Sequence, residues 1–400
     1  MSRHYTTAPH FSDSGVIINR LERLFRLYSG SKIRSLSLPC CLNKSYMEEQ
    51  CIYTLGRLGV EKLVLHPCCV WRHRDVSFSC HLFSHIPSLR NCVLGSCTLK
   101  PNLKMPLCNG NSSLQTLELR SVKILDGSLD NILSSCLSLQ TLDISYCHAP
   151  SRLCFCGTNL QLKTLIVRQC EGVQRIEIYA SNLLTLEFRD NDKMVNFLFD
   201  HAPRLQTLYL VPQSKNILSR VFGGLSKDLP QLKSLTVFSM GDFDQDSRRL
   251  MSTGIETFGK LRRLDLNIYC TPNTSLLALA PFLESCPLLQ EFHLDASNLR
   301  SEGANQKSSL VVPHLELKKV EMSGFDGTEN EMEFALYILK SAVNLEQLLI
   351  SKCNKYYRGY GWWKRTNSRP WSDETYEMIQ KQLQGHALSN TARIIIQHAS

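Results

Sequence analysis

The segment SLQTLELRSVKI, residues 113–124, closely resembles a second segment, SLQTLDISYCHA, residues 138–149. Both segments carry the apolar frame L-x-x-L-x-L, which begins at Leu114 in the first and at Leu139 in the second. The last two apolar residues of the frame alternate with period two, so their side chains leave the same face of a short strand. Such repetition is typical of a protein in which each copy buries its apolar face against the next.

The same frame recurs along most of the chain, and its starts are nearly evenly spaced. The intervals match the period of leucine-rich repeats, roughly 20–29 residues. The thirteen frames begin at Ile33, Val60, Leu89, Leu114, Leu139, Leu162, Leu183, Leu205, Leu232, Leu261, Leu289, Leu317 and Leu345.

Stacked copies of such a strand pair edge to edge as a parallel sheet, and each coil must return along the opposite face. We therefore predict the α/β class: a right-handed leucine-rich-repeat solenoid (horseshoe) with a parallel concave sheet and helices on the convex face. Return helices are predicted at residues 126–136, 216–222, 247–258, 274–286 and 329–342, and the polar residues around Thr328 are expected to cap the last of them.

The coils between Leu162 and Leu205 are too short for a return helix. Half-frames appear within them, at Val173-x-x-Ile176-x-Ile178 and again from Met194, so that two apolar frames fall in each coil. This spacing predicts a β-helix-like middle section over residues 160–212, with strands on both faces.

Cysteine is abundant, with 17 copies in the chain. Eight take fixed places around the frame, where leucine-rich repeats turn a small side chain inward, so we predict buried free thiols and no disulfide framework. An alternative is a zinc site formed by Cys147, His148, Cys154, Cys156 and Cys170. The eight cysteines in fixed places are Cys41, Cys68, Cys97, Cys136, Cys147, Cys170, Cys286 and Cys353.

The two ends of the chain differ from the repeats. Residues 16–28 carry a helical apolar stripe and are predicted to cap the first coil. Residues 355–371, KYYRGYGWWKRTNSRPW, are aromatic and basic, which fits either a surface loop lying on the solenoid or a contact with single-stranded nucleic acid. A helix over 372–384 and a closing strand over 392–397 follow.

The predicted divisions are 1–32, a tail and capping helix; 33–315, the solenoid; and 316–400, C-terminal repeats and cap.

Composition and motifs bound the function. The formal charge of +9 is mild for a chain of 400 residues, and no apolar run reaches the roughly 18–20 residues of a membrane span. Residues 1–15 contain no apolar signal segment, so we expect the cytoplasm or nucleus. No phosphate loop, G-x-S-x-G elbow or H-E-x-x-H motif occurs, and we therefore expect neither an enzyme nor a resident cofactor or metal.

A broad concave sheet whose outward residues are charged favours a protein as the partner. We expect no contact with a membrane and favour a protein over a nucleic acid. The residues predicted to bind it stand between or just after the frame leucines: Glu118, Arg120, Asp143, Arg168, Glu187, Arg189, Tyr209, Arg263, Asp265, His293 and Asp295.

Five longer segments resemble the leucine-rich-repeat region of plant F-box/LRR proteins of the FBD-containing class. They are LERLFRLYSGSKIRSLSL (21–38), SYMEEQCIYTLGRLGVEKLVL (45–65), LKTLIVRQCEGVQRIEIYASNLLTLEF (162–188), LKKVEMSGFDGTENEMEFALYILKSAVNLEQLLI (317–350), which resembles the FBD segment, and ALSNTARIIIQ (387–397), which resembles its tail.

The resemblance implies a role in ubiquitin ligation. In that family an F-box docks the protein on the adaptor of a ubiquitin ligase, and the repeats hold the substrate. Only residues 1–32 precede the first frame here, and none resembles the F-box module. We therefore expect this chain to bind targets, and the adaptor to be a partner only if the full gene product carries an F-box. The alternative function that the resemblance leaves open is a co-receptor for a small molecule, either a hormone or a cofactor.

Overall fold

The computed structural model describes residues 14–28, 30, 33–39, 51–66, 77–79, 83, 85–101, 113–157, 160–190, 195–212, 217–239, 250, 254–269, 275–297, 312–366 and 368–397. The chain forms two compact units. Unit 1 comprises Met1–Leu162 and Cys170–Ala180, and unit 2 comprises Lys163–Gln169 and Ser181–Ser400.

In unit 1, five strands pair in parallel in the order β1-β2-β4-β6-β8. Their bounds are β1 Ser35–Pro39, β2 Lys62–His66, β4 Asn91–Gly95, β6 Thr116–Arg120 and β8 Thr141–Ser145. Shorter strands pair in parallel on the return side: β3 Ser77–Ser79, β5 Thr98–Lys100 and β7 Lys123–Ile124 form one group, and β9 Arg152–Cys156 pairs with β11 Arg175–Tyr179.

In unit 2, nine strands pair in parallel in the order β10-β12-β14-β15-β16-β17-β18-β19-β22. Their bounds are β10 Thr164–Arg168, β12 Thr185–Asp190, β14 Thr207–Pro212, β15 Ser234–Ser239, β16 Arg263–Tyr269, β17 Glu291–Ser297, β18 Lys319–Ser323, β19 Gln347–Ser351 and β22 Arg393–Gln397. A further strand, β13, spans Asn196–His201, and β20 Lys355–Gly359 pairs with β21 Trp362–Arg365 as an antiparallel hairpin.

Each of the thirteen predicted frames coincides with one of the strands in these parallel sheets. The register aligns equivalent frame residues, as where Leu186 stands opposite Leu208 and Phe188 opposite Leu210. Leu186 and Leu208 are fully buried, because each apolar pair packs against the pairs of the adjacent coils. The predicted class, an α/β leucine-rich-repeat solenoid on a parallel sheet, is confirmed.

Helices lie before the first strand and on the return side of the longer coils. Within the described ranges, those with given bounds are α1 Ser14–Leu27, α2 Ile52–Arg57, α3 Ser128–Ser135, α4 Ile217–Arg220, α5 Ser226–Asp228, α6 Ala280–Glu284, α7 Glu329–Ser341 and α8 Asp373–Leu383. A π-helix, Val221–Leu225, joins α4 to α5, and a 3₁₀ turn, Leu276–Leu279, precedes α6. No helix in the described ranges has the length and apolarity needed to span a membrane.

Four of the five predicted return helices are found. Of the fifth, predicted over 247–258, Leu250 is helical and residues 254–258 are not, whereas the other residues of that range lie outside the described residues. The cap predicted for the last helix is confirmed as a capping box, in which Thr328 and Glu331 each hydrogen-bond the backbone of the other.

The β-helix-like section is confirmed by β11 and β13, which lie where a longer coil would place its return helix. Return-side strands also occur outside residues 160–212, where the sequence did not predict them. The strands β3, β5, β7 and β9 lie earlier in the chain. A short strand needs little chain, and its pairing with the next coil satisfies backbone groups that would otherwise be buried unpaired.

The ends are formed mostly as predicted. In α8, Ser372 is the N-cap and its hydroxyl accepts a hydrogen bond from the Thr375 amide, and β22 closes the sheet of unit 2. The apolar stripe of α1 is only partly covered: Leu21 is buried, whereas Leu24 and Tyr28 are exposed.

The eight cysteines in fixed places are buried and not disulfide-bonded wherever the structure describes them, as predicted, and Cys41 and Cys68 lie outside the described residues. Their sulfurs meet the backbone of neighbouring coils. The Cys170 thiol donates to the Ile144 carbonyl at 3.3 Å, and the Cys147 sulfur lies 3.4 Å from both the Leu119 carbonyl and the Val122 amide.

One pair departs from the expectation of free thiols, because Cys154 and Cys156 are joined by a disulfide. The two residues are separated by one position on β9, so their side chains leave the same face, with Cα atoms 5.6 Å apart. The alternative zinc site is therefore wrong. Two of its four sulfurs bond each other, and Cys147 and Cys170 are buried against the backbone.

Candidate functional site

A short antiparallel hairpin, formed by β20 and β21, lies over the sheet of unit 2. The two linking residues, Tyr360 and Gly361, both have positive φ, 54° and 74°, as in a type I′ turn. Much of the aromatic and basic stretch singled out in the sequence is thus an ordered element that lies on the solenoid.

The side chains of the hairpin lie on two faces, and the strand pairing shifts register once, between Tyr357 and Gly359. Tyr357 on the inner face is 3% exposed, whereas Trp362 on the outer face is 65% exposed. We call the residues that contact the sheet the inner face: Lys355, Tyr357, Trp363 and Arg365. We call the residues directed away from the sheet the outer face: Tyr356, Arg358, Trp362 and Lys364.

Beneath the inner face runs a row of side chains contributed by neighbouring strands of unit 2. Each stands between the last two apolar residues of its frame and therefore leaves the sheet opposite the core leucines. The strand register places them side by side. We call this row the polar face: Glu187, Tyr209, Thr236, Asp265, His293 and Glu321.

Glu187 anchors the tip of the hairpin. Its carboxylate accepts hydrogen bonds from the Tyr357 hydroxyl at 2.7 Å, the Tyr360 amide at 2.9 Å and the Arg168 Nε at 2.6 Å. The Arg168 guanidinium also lies 4.1 Å from the centre of the Tyr360 ring. Glu187 is only 1% exposed, so water does not hydrate its carboxylate. These donors supply the hydrogen bonds that water would otherwise provide. Burial, followed by the charge of Glu187, raises the pKa of Tyr357.

Aromatic rings hold the middle of the hairpin. Tyr357 stacks on Tyr209 with ring centroids 4.7 Å apart and an interplanar angle of 11°. Trp363 stacks on Phe238 at 6.0 Å and meets the edge of the His293 ring at 5.5 Å. These contacts bury aromatic area and fix the hairpin at a defined register on the polar face.

Carboxylates hold the open end of the hairpin. The Lys355 ammonium lies 2.6 Å from Glu321, the Arg365 guanidinium lies 2.8 Å from the same carboxylate, and the Lys355 amide donates to Asp295 at 2.5 Å. Burial works against ionisation of Glu321, but the neighbouring His293, Lys355 and Arg365 outweigh it and hold the pKa of Glu321 below its ordinary value.

Asp265 lies at the centre of the polar face and is 2% exposed. Arg263 donates two hydrogen bonds to it, at 2.8 and 3.1 Å, and the Thr236 hydroxyl donates a third at 3.3 Å. His293 has Nδ1 3.5 Å from Asp265 and Nε2 3.1 Å from the Ser323 hydroxyl. Although burial opposes ionisation, the neighbouring His293 and the hydrogen bonds from Arg263 hold the pKa of Asp265 below its ordinary value.

Eight of the eleven residues predicted to bind a partner belong to unit 2, where the hairpin lies over the sheet. We expected them to be open to a partner, and for Glu187, Asp265, His293 and Asp295 this was wrong, because each is less than 5% exposed. They do leave the sheet on the predicted side, but the chain itself occupies that side. The other four are half-buried, and one of them, Tyr209, belongs to the polar face itself: Arg168, Arg189, Tyr209 and Arg263.

The remaining three predicted residues belong to unit 1. Arg120 is exposed and pairs with the half-buried Glu118 at 2.5 Å. Asp143 is 1% exposed and accepts a hydrogen bond from the Ser145 hydroxyl, so its expected accessibility was also wrong. Of these three, Arg120 is the residue most open to a partner.

Four contributors to the site were missed: Thr236, Glu321, Phe238 and the hairpin itself. Glu321 occupies the same frame position as Asp265 and His293, so the repeat alignment already contained it. The segment around Gly359 and Gly361 carries the signal of a two-residue hairpin turn between aromatic strands. That signal predicts the hairpin but not the surface on which it lies.

The outer face is aromatic and basic. Its Arg358 guanidinium lies 4.8 Å from the centre of the Tyr356 ring and donates to the hydroxyl of that tyrosine at 2.9 Å. No aspartate or glutamate occurs between Lys352 and Ser372. Within the part of the chain that the structure describes, the Lys364 ammonium makes no ion pair, in contrast to the cations of the inner face.

Comparisons with known proteins agree with this architecture. The family described as At1g61320/AtMIF1, LRR domain, matches residues 25–385. The FBD-associated F-box protein At1g61320 of Arabidopsis thaliana is 23% identical over 360 residues, which cover 83% of this chain and 75% of that relative. The F-box/FBD/LRR-repeat protein At5g56420 of the same plant is 23% identical over 376 residues, which cover 87% and 80% of the two chains. This chain therefore belongs to the At1g61320/AtMIF1 leucine-rich-repeat domain family.

Proposed function

We propose that this chain holds a protein target and that the outer face of the hairpin is its main contact surface. The observation that carries the proposal is the fixed inner face, which leaves Tyr356, Arg358, Trp362 and Lys364 side by side on a rigid support. Tryptophan, tyrosine and arginine are enriched among the few residues that dominate the binding energy of protein interfaces. A rigid support lowers the entropic cost of presenting them.

The proposed biological role follows from the family. Both relatives are named F-box proteins, and the resemblance implies the substrate-recognition part of a ubiquitin-ligase subunit. We extend that role to this chain, as an interaction protein rather than an enzyme, acting in the cytoplasm or nucleus. Because the hairpin already occupies the polar face, we propose that the target is recognised by the outer face rather than by Asp265 or His293.

Proximity labelling in cells tests the proposal. The intact chain is compared with Trp362→Ala, on the outer face, and with Arg120→Ala, on the exposed sheet residue of unit 1. We expect Trp362→Ala to lose specific neighbours that Arg120→Ala retains, and a target of ubiquitin ligation to accumulate when the chain is removed. Neighbours that Trp362→Ala retains in full, or that Arg120→Ala alone loses, would overturn the proposal.

A further inference from the structure

We infer that the partner of the outer face is an acidic peptide segment that carries at least one apolar side chain. This inference rests on the proposed function and adds the chemistry of the target. Three features of the hairpin support it: the charges left without a carboxylate, the exposed rings beside them, and the small number of those charges.

The outer face carries positive charge that the described part of the chain does not balance. Six cations and no acids occur from Lys352 to Arg369, and the last of them, Arg369, is exposed but lies beyond the hairpin. Three of the cations form ion pairs within unit 2: Lys352 with Asp326, and Lys355 and Arg365 with Glu321. The two cations of the outer face, Arg358 and Lys364, are exposed, and no carboxylate of the described residues pairs with them. Complementarity therefore calls for a partner that brings carboxylates.

Exposed aromatic rings lie beside these two cations. Trp362 is 65% exposed and Tyr360 at the turn is 57% exposed, although both belong to an ordered hairpin. They neighbour Arg358 and Lys364 on β20 and β21. A partner that covered the cations with carboxylates would also cover these rings, and an apolar side chain between its acids would bury their area.

The small number of available cations favours a peptide over a nucleic acid. Nucleic-acid affinity depends mainly on many phosphate contacts along a basic track. Here the inner-face cations are used internally, so only Arg358 and Lys364 remain on the outer face. Two cations beside a tryptophan and a tyrosine match a protein hot spot better than a strand-binding groove.

The test uses the purified full chain on an array of synthetic peptides that combine Asp and Glu with Leu, Phe and Ser. A second array replaces each acid with Lys, and oligothymidylate serves as the nucleic-acid probe. We expect binding to the acidic array, weakening with added salt, with little signal on the other two probes. Trp362→Ala and Lys364→Glu should each weaken acidic-peptide binding by about tenfold.

Matched controls keep the test specific. Tyr53→Ala removes another exposed ring, and Lys260→Glu reverses another exposed charge, both outside the hairpin. Neither should change peptide binding. Equal binding to the lysine array, preference for oligothymidylate, or acidic-peptide binding that survives both outer-face variants would each overturn the inference.

The two proposals fail in distinguishable ways. If the peptide arrays contradicted the inference while proximity labelling still depended on Trp362, the partner chemistry would be wrong and the proposed function would stand. If both experiments were indifferent to Trp362, both proposals would fail.

Discussion

Tyr357 and Glu187 stand 170 positions apart in the sequence, and the hydroxyl of the tyrosine donates a 2.7 Å hydrogen bond to the carboxylate of the glutamate. The bond joins the hairpin to β12 near the beginning of unit 2. The chain therefore covers the polar face of that unit with its own hairpin. Contacts along the hairpin, from Glu187 at the tip to Glu321 at the open end, hold it in one register on that face.

Gly359→Ala should destabilise the hairpin. Gly359 has φ of 106°, and a Cβ there would lie 2.6 Å from the Arg168 guanidinium. We expect a loss of about 1–2 kcal/mol in the free energy of unfolding, measured with urea and tryptophan fluorescence, because an alanine resists that backbone conformation. Gly259→Ala is the matched control, since nothing lies within 4 Å of a Cβ there. Equal effects of the two substitutions would contradict the prediction.

Acidification should weaken the contact between hairpin and polar face. The folded-state pKa values of Glu321 and Asp265 are held below their ordinary values. Between the folded and unfolded pKa values the unfolded chain binds more protons, so stability rises with pH across that window. These contributions are present above about pH 4 and are lost as the pH falls through the folded pKa values.

The measurement for this prediction is the urea midpoint across the acidic range. Glu321→Gln removes one of the two groups and should flatten the dependence. Glu377→Gln, on the exposed side of α8, is the matched control and should leave it unchanged. A dependence that is the same in all three proteins would show that Glu321 does not contribute.

The capping box of α7 should also contribute measurably. The Glu331 carboxylate accepts from the Thr328 amide at 2.8 Å, and the Thr328 hydroxyl accepts from the Glu331 amide at 3.4 Å. Thr328→Ala should lower the free energy of unfolding by about 1 kcal/mol. Thr328→Ser keeps the hydroxyl and should cost much less in the same urea titration. If serine and alanine gave equal losses, the cap would not be the cause.

Buried cysteines should resist thiol reagents in the native protein. Burial raises the pKa values of Cys51 and Cys286 to about 12, so their thiols are neither accessible nor ionised at neutral pH. We expect little labelling of these residues before unfolding and complete labelling in urea, assigned residue by residue by mass spectrometry. Rapid native labelling of Cys286 would contradict its burial.

The repeat frame predicts the fold so well because it is a local pattern with a physical cause. Each strand has its own apolar pair, such as Leu264 and Leu266, and neighbouring coils bury that pair wherever they stand in the chain. The capping residues of α7 and α8 are local in the same sense. The disulfide between Cys154 and Cys156 is also local, but alternation along a strand permits it without requiring it.

The site was less predictable because its decisive contacts are not local. Frame position shows that Glu187, Asp265 and His293 leave the sheet on the polar side, and the structure agrees. The same pattern cannot show what covers them. That depends on where Tyr357 and Trp363 dock, which is determined by stacking and hydrogen bonding between segments far apart in sequence.

Docking of the hairpin on the polar face is tested most directly by a double-mutant cycle. Tyr357→Phe, Glu187→Gln and the double variant are unfolded in urea alongside the unsubstituted chain. Because Tyr357 and Glu187 share a hydrogen bond to a charged, buried group, we predict a coupling free energy of about 1 kcal/mol or more. Effects that add within about 0.3 kcal/mol would contradict this docking, since residues that do not touch behave independently.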